Sequence, residues 1–123
     1  MDLVEGKLLQ ELLDDSNFQS NFTEEQTAFI LREILDALAY MASVKVMHRD
    51  IKPLNIIMEK GGRVRIVDFG LATEINLTNY IYNRCGSSGF IAPEIFLYNP
   101  KNSSTAYNDR CDVFSAGCIF FHM

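Results

Sequence analysis

The chain has 123 residues, 48% of them hydrophobic, enough for one domain or a large part of one. Its 11 basic and 16 acidic residues leave a net charge of −5, which argues against a nucleic-acid or anionic-membrane surface. No apolar run is long enough for a membrane-spanning helix, and Met1 to Lys7 lack an apolar signal core, so no membrane partner is expected. Cys85, Cys111 and Cys118 are odd in number and lack metal-ligand spacing with each other or with His48 and His122. The expectation is reduced thiols in the cytoplasm or nucleus, without zinc.

In chain order, residues 1–7 read as a short extended segment ending at Gly6. Leu8, Leu9, Leu12 and Leu13 recur at helical spacing and predict a short amphipathic helix ending near Asp14 to Asn17. Thr23-Glu24-Glu25-Gln26 is a capping box, in which hydroxyl and side-chain amide satisfy each other's backbone amides. The helix it opens should run to about Val44, with Phe29, Ile30, Ile34, Leu38, Met41 and Ala42 on one broad core face and Lys45 suiting the helix dipole. Asn55–Met58 and Arg63–Val67 read as two strands joined by a turn at Glu59-Lys60-Gly61-Gly62. From Leu71 to Ser88 the chain is polar and irregular, long enough to favour a functional segment. A helical turn at Ile95–Tyr98 and a polar loop from Pro100 to Asn108 follow. The last helix begins near Asp109 to Asp112 and is apolar nearly all round to Met123, which predicts a buried central helix.

The chemistry concentrates in Met47-His48-Arg49-Asp50-Ile51-Lys52-Pro53-Leu54-Asn55 and in Ile66-Val67-Asp68-Phe69-Gly70. Asp50 can accept a proton from a hydroxyl nucleophile, and Lys52 can neutralise a transferring phosphoryl group. Asn55 and Asp68 offer the hard oxygen ligands that magnesium prefers, and the hairpin between them brings the two together.

The order His-Arg-Asp-x-Lys-Pro-x-Asn, then Asp-Phe-Gly, resembles the catalytic and metal-binding loops of eukaryotic protein kinases. Lys52, two residues after the acid, is the form of the serine/threonine branch. Asp-Phe-Gly-Leu-Ala and the run Arg84 to Glu94 look closest to the calmodulin-dependent-kinase-like group. The resemblance implies an α+β, mainly helical fold: a partial kinase C-lobe with a short β-hairpin beside the catalytic loop and no N-lobe. Residues 1–123 would be a partial kinase domain comprising hinge, catalytic loop, metal-binding loop, activation segment and the start of a central helix.

Further implications of the resemblance are residue by residue. The catalytic set would be Asp50, Lys52, Asn55 and Ser87, with magnesium held by Asn55 and Asp68. ATP would be bound by Asp2, Val4, Lys52, Asn55, Ile57 and Asp68, where Asp2 and Val4 sit in the hinge and Ile57 forms an apolar floor under adenine. His48 would be structural, packed on Phe69, and Asp112 a buried anchor beneath the catalytic loop. Arg49 would pair with a phosphate or acid on the activation segment, where Thr78, Tyr80 and Tyr82 are candidate acceptors. Ser88 and Phe90 depart from the Pro and Tyr more usual there, while Ser87 keeps the hydroxyl.

The implied function is ATP-dependent phosphorylation of serine or threonine in a protein substrate. None of the seven glycines forms a Gly-x-Gly-x-x-Gly loop, and no strand lysine for the α and β phosphates is recognisable. This polypeptide by itself is therefore expected to be inactive or nearly so. The alternative is a non-catalytic kinase-like fragment that binds or regulates partners. Oligomeric state is not readable from the residues.

Overall fold

The computed structural model describes residues 5–16, 22–75, 83–99, 101 and 107–123. Asp2, Val4, Thr78, Tyr80 and Tyr82 lie outside the described residues. The architecture is about half helical with two small antiparallel sheets.

Strand β1 (Gly6–Leu8) leads without a break into helix α1 (Leu9–Asp14), whose Leu9, Leu12 and Leu13 are buried. Leu8 thus belongs to a strand rather than to the helix, and its backbone amide donates to the Glu11 carboxylate at 3.1 Å. Helix α2 (Glu24–Ser43) starts at the expected capping box. The Gln26 amide donates to Thr23 Oγ1 at 3.2 Å, and the Thr23 amide donates to Gln26 Oε1 at 3.1 Å. Its buried stripe is Ile30, Ile34, Leu38 and Met41, a spacing of one helix face. Phe29 lies off that stripe and is about half exposed. Lys45, in the left-handed region at φ 62°, ends the helix by donating its amide to Ala42.

Strand β2 (Val46–Met47) precedes the loop that carries His48, Arg49, Asp50 and Lys52. A single 3-10 turn, Pro53–Asn55, then feeds strand β3 (Ile56–Glu59), which turns back as β4 (Val64–Ile66). The register pairs Ile56 with Ile66 and Met58 with Val64. The turn closes through Gly62, whose φ of 82° a side chain would strain, donating to the Glu59 carbonyl at 2.8 Å. Strand β1 adds to the outer side of β3, pairing Leu8 with Ile57, so the expected hairpin is a three-stranded sheet. A second sheet was not expected: β5 (Thr73–Glu74), within the stretch read as irregular, pairs with β2.

Helix α3 (Pro93–Phe96) begins earlier than the helical turn expected at Ile95–Tyr98, because Pro93 sits in its first turn, where proline's missing N–H costs nothing. Helix α4 (Arg110–His122) corrects the reading of a helix buried all round. Cys111, Asp112, Ser115, Ala116 and Ile119 are buried, while Val113, Phe114, Phe120 and Phe121 are exposed, the last at 90%. Near-uniform apolarity does not say which faces find a neighbour, and among the described elements α4 packs chiefly on α2. Ile34, Leu38, Ile51, Ile56, Ala116 and Ile119 join α2, the loop, β3 and α4 in one core. That core fixes both ends of the loop carrying the candidate site. Among the described residues, no helix is long and apolar enough to cross a membrane.

Candidate active site

The loop between β2 and the 3-10 turn is held from below by one carboxylate. Asp112, on the buried face of α4, accepts from the His48 amide at 2.6 Å and from the Arg49 amide at 2.7 Å. Arg49 has φ 70°, so its two flanking peptides turn sharply and present successive amides to the same side chain. Burial pushes the Asp112 carboxyl up, and the two amides pull it the other way.

His48 is fully buried and fully used. Its Nδ1 accepts from the Asp50 amide at 3.2 Å, so Nε2 carries the proton and donates to the Val67 carbonyl at 3.0 Å. Its ring meets Phe69 edge-on, with centroids 5.0 Å apart. The imidazole spans the two motifs as a strut and has no nitrogen left for proton transfer to a substrate.

Asp50, Lys52 and Ser87 close a triangle. Lys52 Nζ lies 2.8 Å from Asp50 Oδ2 and donates to Ser87 Oγ at 2.6 Å, while Ser87 Oγ donates to Asp50 Oδ1 at 2.7 Å. Asn55 completes the set, its Nδ2 donating to the Asp50 carbonyl at 2.8 Å and to Asp50 Oδ2 at 3.2 Å. Burial raises the pKa of Asp50, but hydrogen bonds from Lys52, Ser87 and Asn55 and the lysine charge outweigh it and hold the carboxyl below the ordinary aspartate value.

The sign of the linkage follows. A depressed carboxyl stabilises the folded chain fully above the ordinary aspartate value of about 3.9, and that contribution is lost as pH falls through the lower, folded value. Asn is close in shape to protonated Asp. The stability gap between the native chain and Asp50→Asn is therefore expected to be widest near neutral pH and to narrow in acid. Urea unfolding of both proteins across that range checks it.

Asn55 ends the 3-10 turn, and the Val67 amide donates to its carbonyl at 2.9 Å, so the residue after Val67 is brought alongside. That residue is Asp68, exposed and in the left-handed region at φ 62°, with Oδ1 accepting from the Gly70 amide at 3.2 Å. Because Nδ2 of Asn55 is turned to Asp50, its amide oxygen is free of protein hydrogen bonds among the described residues. Ile57 lies in β3, half-buried on the sheet face opposite the fully buried Ile56. The structure thus brings Asp50, Lys52, Asn55 and Ser87 into direct contact and sets Asp68 beside them. Ile57 stands apart from that group in β3, and Asp2 and Val4 fall outside the described residues.

Two residues of this region escaped the sequence reading. Tyr107, buried at the end of the stretch read as a polar loop, accepts from Arg49 Nη1 at 3.0 Å and donates to the Asn83 carbonyl at 2.5 Å. It packs edge-on against Tyr98 with centroids 5.3 Å apart. Burial drives its hydroxyl well above the ordinary tyrosine range, so it stays a neutral donor. A lone aromatic in a polar run was its only signal. Arg49 itself also donates through Nε to the Leu71 carbonyl at 2.7 Å, tying the loop to the segment after Asp68.

Gly86 is the second. Its φ is 115°, and a Cβ there would stand 3.0 Å from the Arg49 carbonyl and 3.1 Å from Ile91. Gly86→Ala is expected to cost about 1–3 kcal/mol and to pull Ser87 off Asp50. Urea unfolding reads the first effect, and the NMR signals of Asp50 and Ser87 read the second.

Comparison with known proteins identifies the family. The family model described as protein kinase domain matches residues 1–123. The chain is 33% identical over its full length to a probable serine/threonine-protein kinase of Dictyostelium discoideum, of which it covers 10%. It is 32% identical over its full length to sperm motility kinase 2B of Mus musculus, covering 24% of that protein. Serine/threonine-protein kinase cds1 of Schizosaccharomyces pombe is 33% identical, again over the full chain and with 26% of its own length covered. The chain thus spans between a tenth and about a quarter of the length of these curated relatives. It belongs to the eukaryotic protein kinase family, serine/threonine type.

Proposed function

We propose that these residues form the catalytic-loop portion of an ATP- and magnesium-dependent serine/threonine kinase. The 123 residues are read as running from the hinge, through the catalytic and metal-binding loops and the activation segment, into the central helix of the mainly helical lobe. The observation that carries this reading is the Asp50–Lys52–Ser87 triangle with Asn55 behind it.

Each residue's chemistry follows from its contacts. A serine or threonine hydroxyl arriving at Asp50 would replace the Ser87 hydroxyl as donor to one carboxylate oxygen. With its pKa held low, Asp50 is a weak base, suited to orienting the hydroxyl and taking its proton late, as a loose phosphoryl-transfer transition state requires. Lys52 already shares Asp50 and Ser87, so its ammonium is positioned to meet the negative oxygens of the transferring group. Ser87 then holds the lysine and the acid in register.

The donor set suits magnesium. The free amide oxygen of Asn55 and the exposed carboxylate of Asp68 are hard oxygen ligands that leave room for water and phosphate. Bound magnesium would neutralise phosphate charge. Asp2 and Val4 are assigned to adenine through their backbone, and Ile57 to its apolar face.

Label transfer from γ-labelled ATP tests the reading, using a longer polypeptide that contains residues 1–123 and otherwise identical serine, threonine and tyrosine peptides. Serine and threonine peptides are expected to take label and tyrosine not. Transfer to tyrosine alone, or transfer unaffected by Asp50→Asn, would overturn it. The 123-residue polypeptide by itself is expected to transfer little, since no glycine-rich phosphate loop lies within it.

A further inference from the structure

Ser87 lies between two glycines in the left-handed region, Gly86 at φ 115° and Gly89 at φ 90°. Glycine leaves the backbone freer than any other residue, so contacts outside the pair must fix where the Ser87 hydroxyl points. On the C-terminal side the contact is Ser115 of α4, whose hydroxyl lies 2.7 Å from the Phe90 carbonyl, nearer than the Cys111 carbonyl at 3.0 Å. The Phe90 amide in turn donates to the Ser87 carbonyl at 3.1 Å. On the N-terminal side the contact is Tyr107, just ahead of α4, which donates to the Asn83 carbonyl at 2.5 Å.

The Tyr107 hydroxyl is used in both directions. Its oxygen accepts from Arg49 Nη1 at 3.0 Å, its proton goes to Asn83, and the Cys85 sulfur lies 3.9 Å away. Arg49 directly precedes Asp50, so one hydroxyl joins the loop that carries the acid to the segment that carries its serine. The two run so close that a Cβ at Gly86 would stand 3.0 Å from the Arg49 carbonyl. The ring supplies rigidity, being buried among Met47, Ala92, Ile95, Tyr98 and Cys111. A packed ring with two torsions makes its oxygen a fixed point.

We propose that Tyr107 is a positioning residue of the phosphoryl-transfer site: its hydroxyl, shared between Arg49 and Asn83, sets the register in which Ser87 reaches Asp50 and Lys52. Its effect arrives through Ser87, which donates to Asp50 at 2.7 Å and accepts from Lys52 at 2.6 Å. The catalytic consequence rests on the kinase reading above, whereas the register of Ser87 belongs to the folded chain.

Tyr107→Phe keeps the ring and deletes the hydroxyl, and Tyr98→Phe makes the same deletion on the ring it packs against. In NMR spectra of the 123-residue chain, Tyr107→Phe is expected to shift and broaden the Gly86, Ser87 and Lys52 signals and to leave those of α2 in place. Tyr98→Phe should leave Gly86 and Ser87 unmoved. Ser87 signals unmoved by Tyr107→Phe, or moved equally by Tyr98→Phe, overturn the positioning role. Loss of the folded spectrum in Tyr107→Phe makes the hydroxyl a requirement of the fold and overturns it as well. In an active longer polypeptide that contains these residues, Tyr107→Phe should lower kcat for serine-peptide phosphorylation about tenfold, with KM for ATP nearly unchanged. In a Ser87→Ala background the same change should cost nothing further, because the group it positions is already gone. A full tenfold loss in that background overturns the role, since a general loosening lowers kcat whether or not the serine is present. Displaced Ser87 signals with no label transfer by any polypeptide containing these residues overturn the kinase reading alone. Transfer with kcat and Ser87 signals unchanged in Tyr107→Phe overturns the positioning role alone.

Discussion

Asp50→Asn is expected to lower kcat for peptide phosphorylation by about two to four orders of magnitude, the usual worth of a positioned acid–base group. The assay requires an active polypeptide that contains these residues. Asn preserves the size of the side chain, so the loop should keep its shape. What disappears is the anion that receives Ser87 Oγ at 2.7 Å and holds Lys52 at 2.8 Å. The side-chain amide can keep its oxygen toward Asn55 Nδ2 and Lys52 and turn its N–H to the Ser87 hydroxyl, so Ser87 loses its acceptor and Lys52 its anionic partner. KM for ATP should change far less than kcat, because the lost interaction acts on the hydroxyl and on developing charge. Steady-state kinetics separate the two. Combining Asp50→Asn with Lys52→Met should cost little more than either alone, since each breaks the same triangle. Independent, multiplying losses would show that the triangle is not a functional unit.

Asp112→Ala is expected to be the most destabilising single change in the described core. It leaves two buried backbone amides, those of His48 and Arg49, without their acceptor at once. At about 1–3 kcal/mol per buried unsatisfied group, the loss is roughly 2–6 kcal/mol, comparable to the whole stability of many domains. Asp112→Asn should be intermediate, because one amide keeps an oxygen while the other meets an NH₂ group. The positive φ at Arg49 adds to the effect, since that conformation persists only while its surroundings enforce it. Urea unfolding of the three proteins gives the order. Where Asp112→Ala still folds, the Asp50 and Ser87 signals should report a displaced loop.

What could be read from the residues, and what could not, divides by range of interaction. The capping box at Thr23, the Ile30–Met41 stripe and the hairpin around Gly62 are local, and each was legible because the residues that act on one another are neighbours in sequence. The His48–Asn55 run was legible for the same reason. Tyr107 was not, because its partners Arg49 and Asn83 lie far away in the chain and no spacing links them. The β2–β5 pair was missed because two-residue strands carry no periodicity, and pairing Met47 with Thr73 is set by the loops at either side. The left-handed turns at Arg49 and Asp68 gave no sign either, since neither residue is glycine. In α4 the apolar residues were seen, but the sequence does not say which face meets a neighbour. The described partners cover the Cys111–Ile119 face and leave Phe121 outward.

The central claim is that Asn55 and Asp68 hold the cation beside the Asp50 triangle. Manganese, a paramagnetic stand-in for magnesium, tests it on the 123-residue chain itself in the presence of ATP. The NMR signals of Asn55, Asp68 and Gly70 should broaden first, those of Asp50 and Lys52 next, and Asp68→Asn should abolish the pattern without unfolding the chain. Broadening centred on the exposed acids of α1 and α2, or an unchanged pattern in Asp68→Asn, would contradict the account.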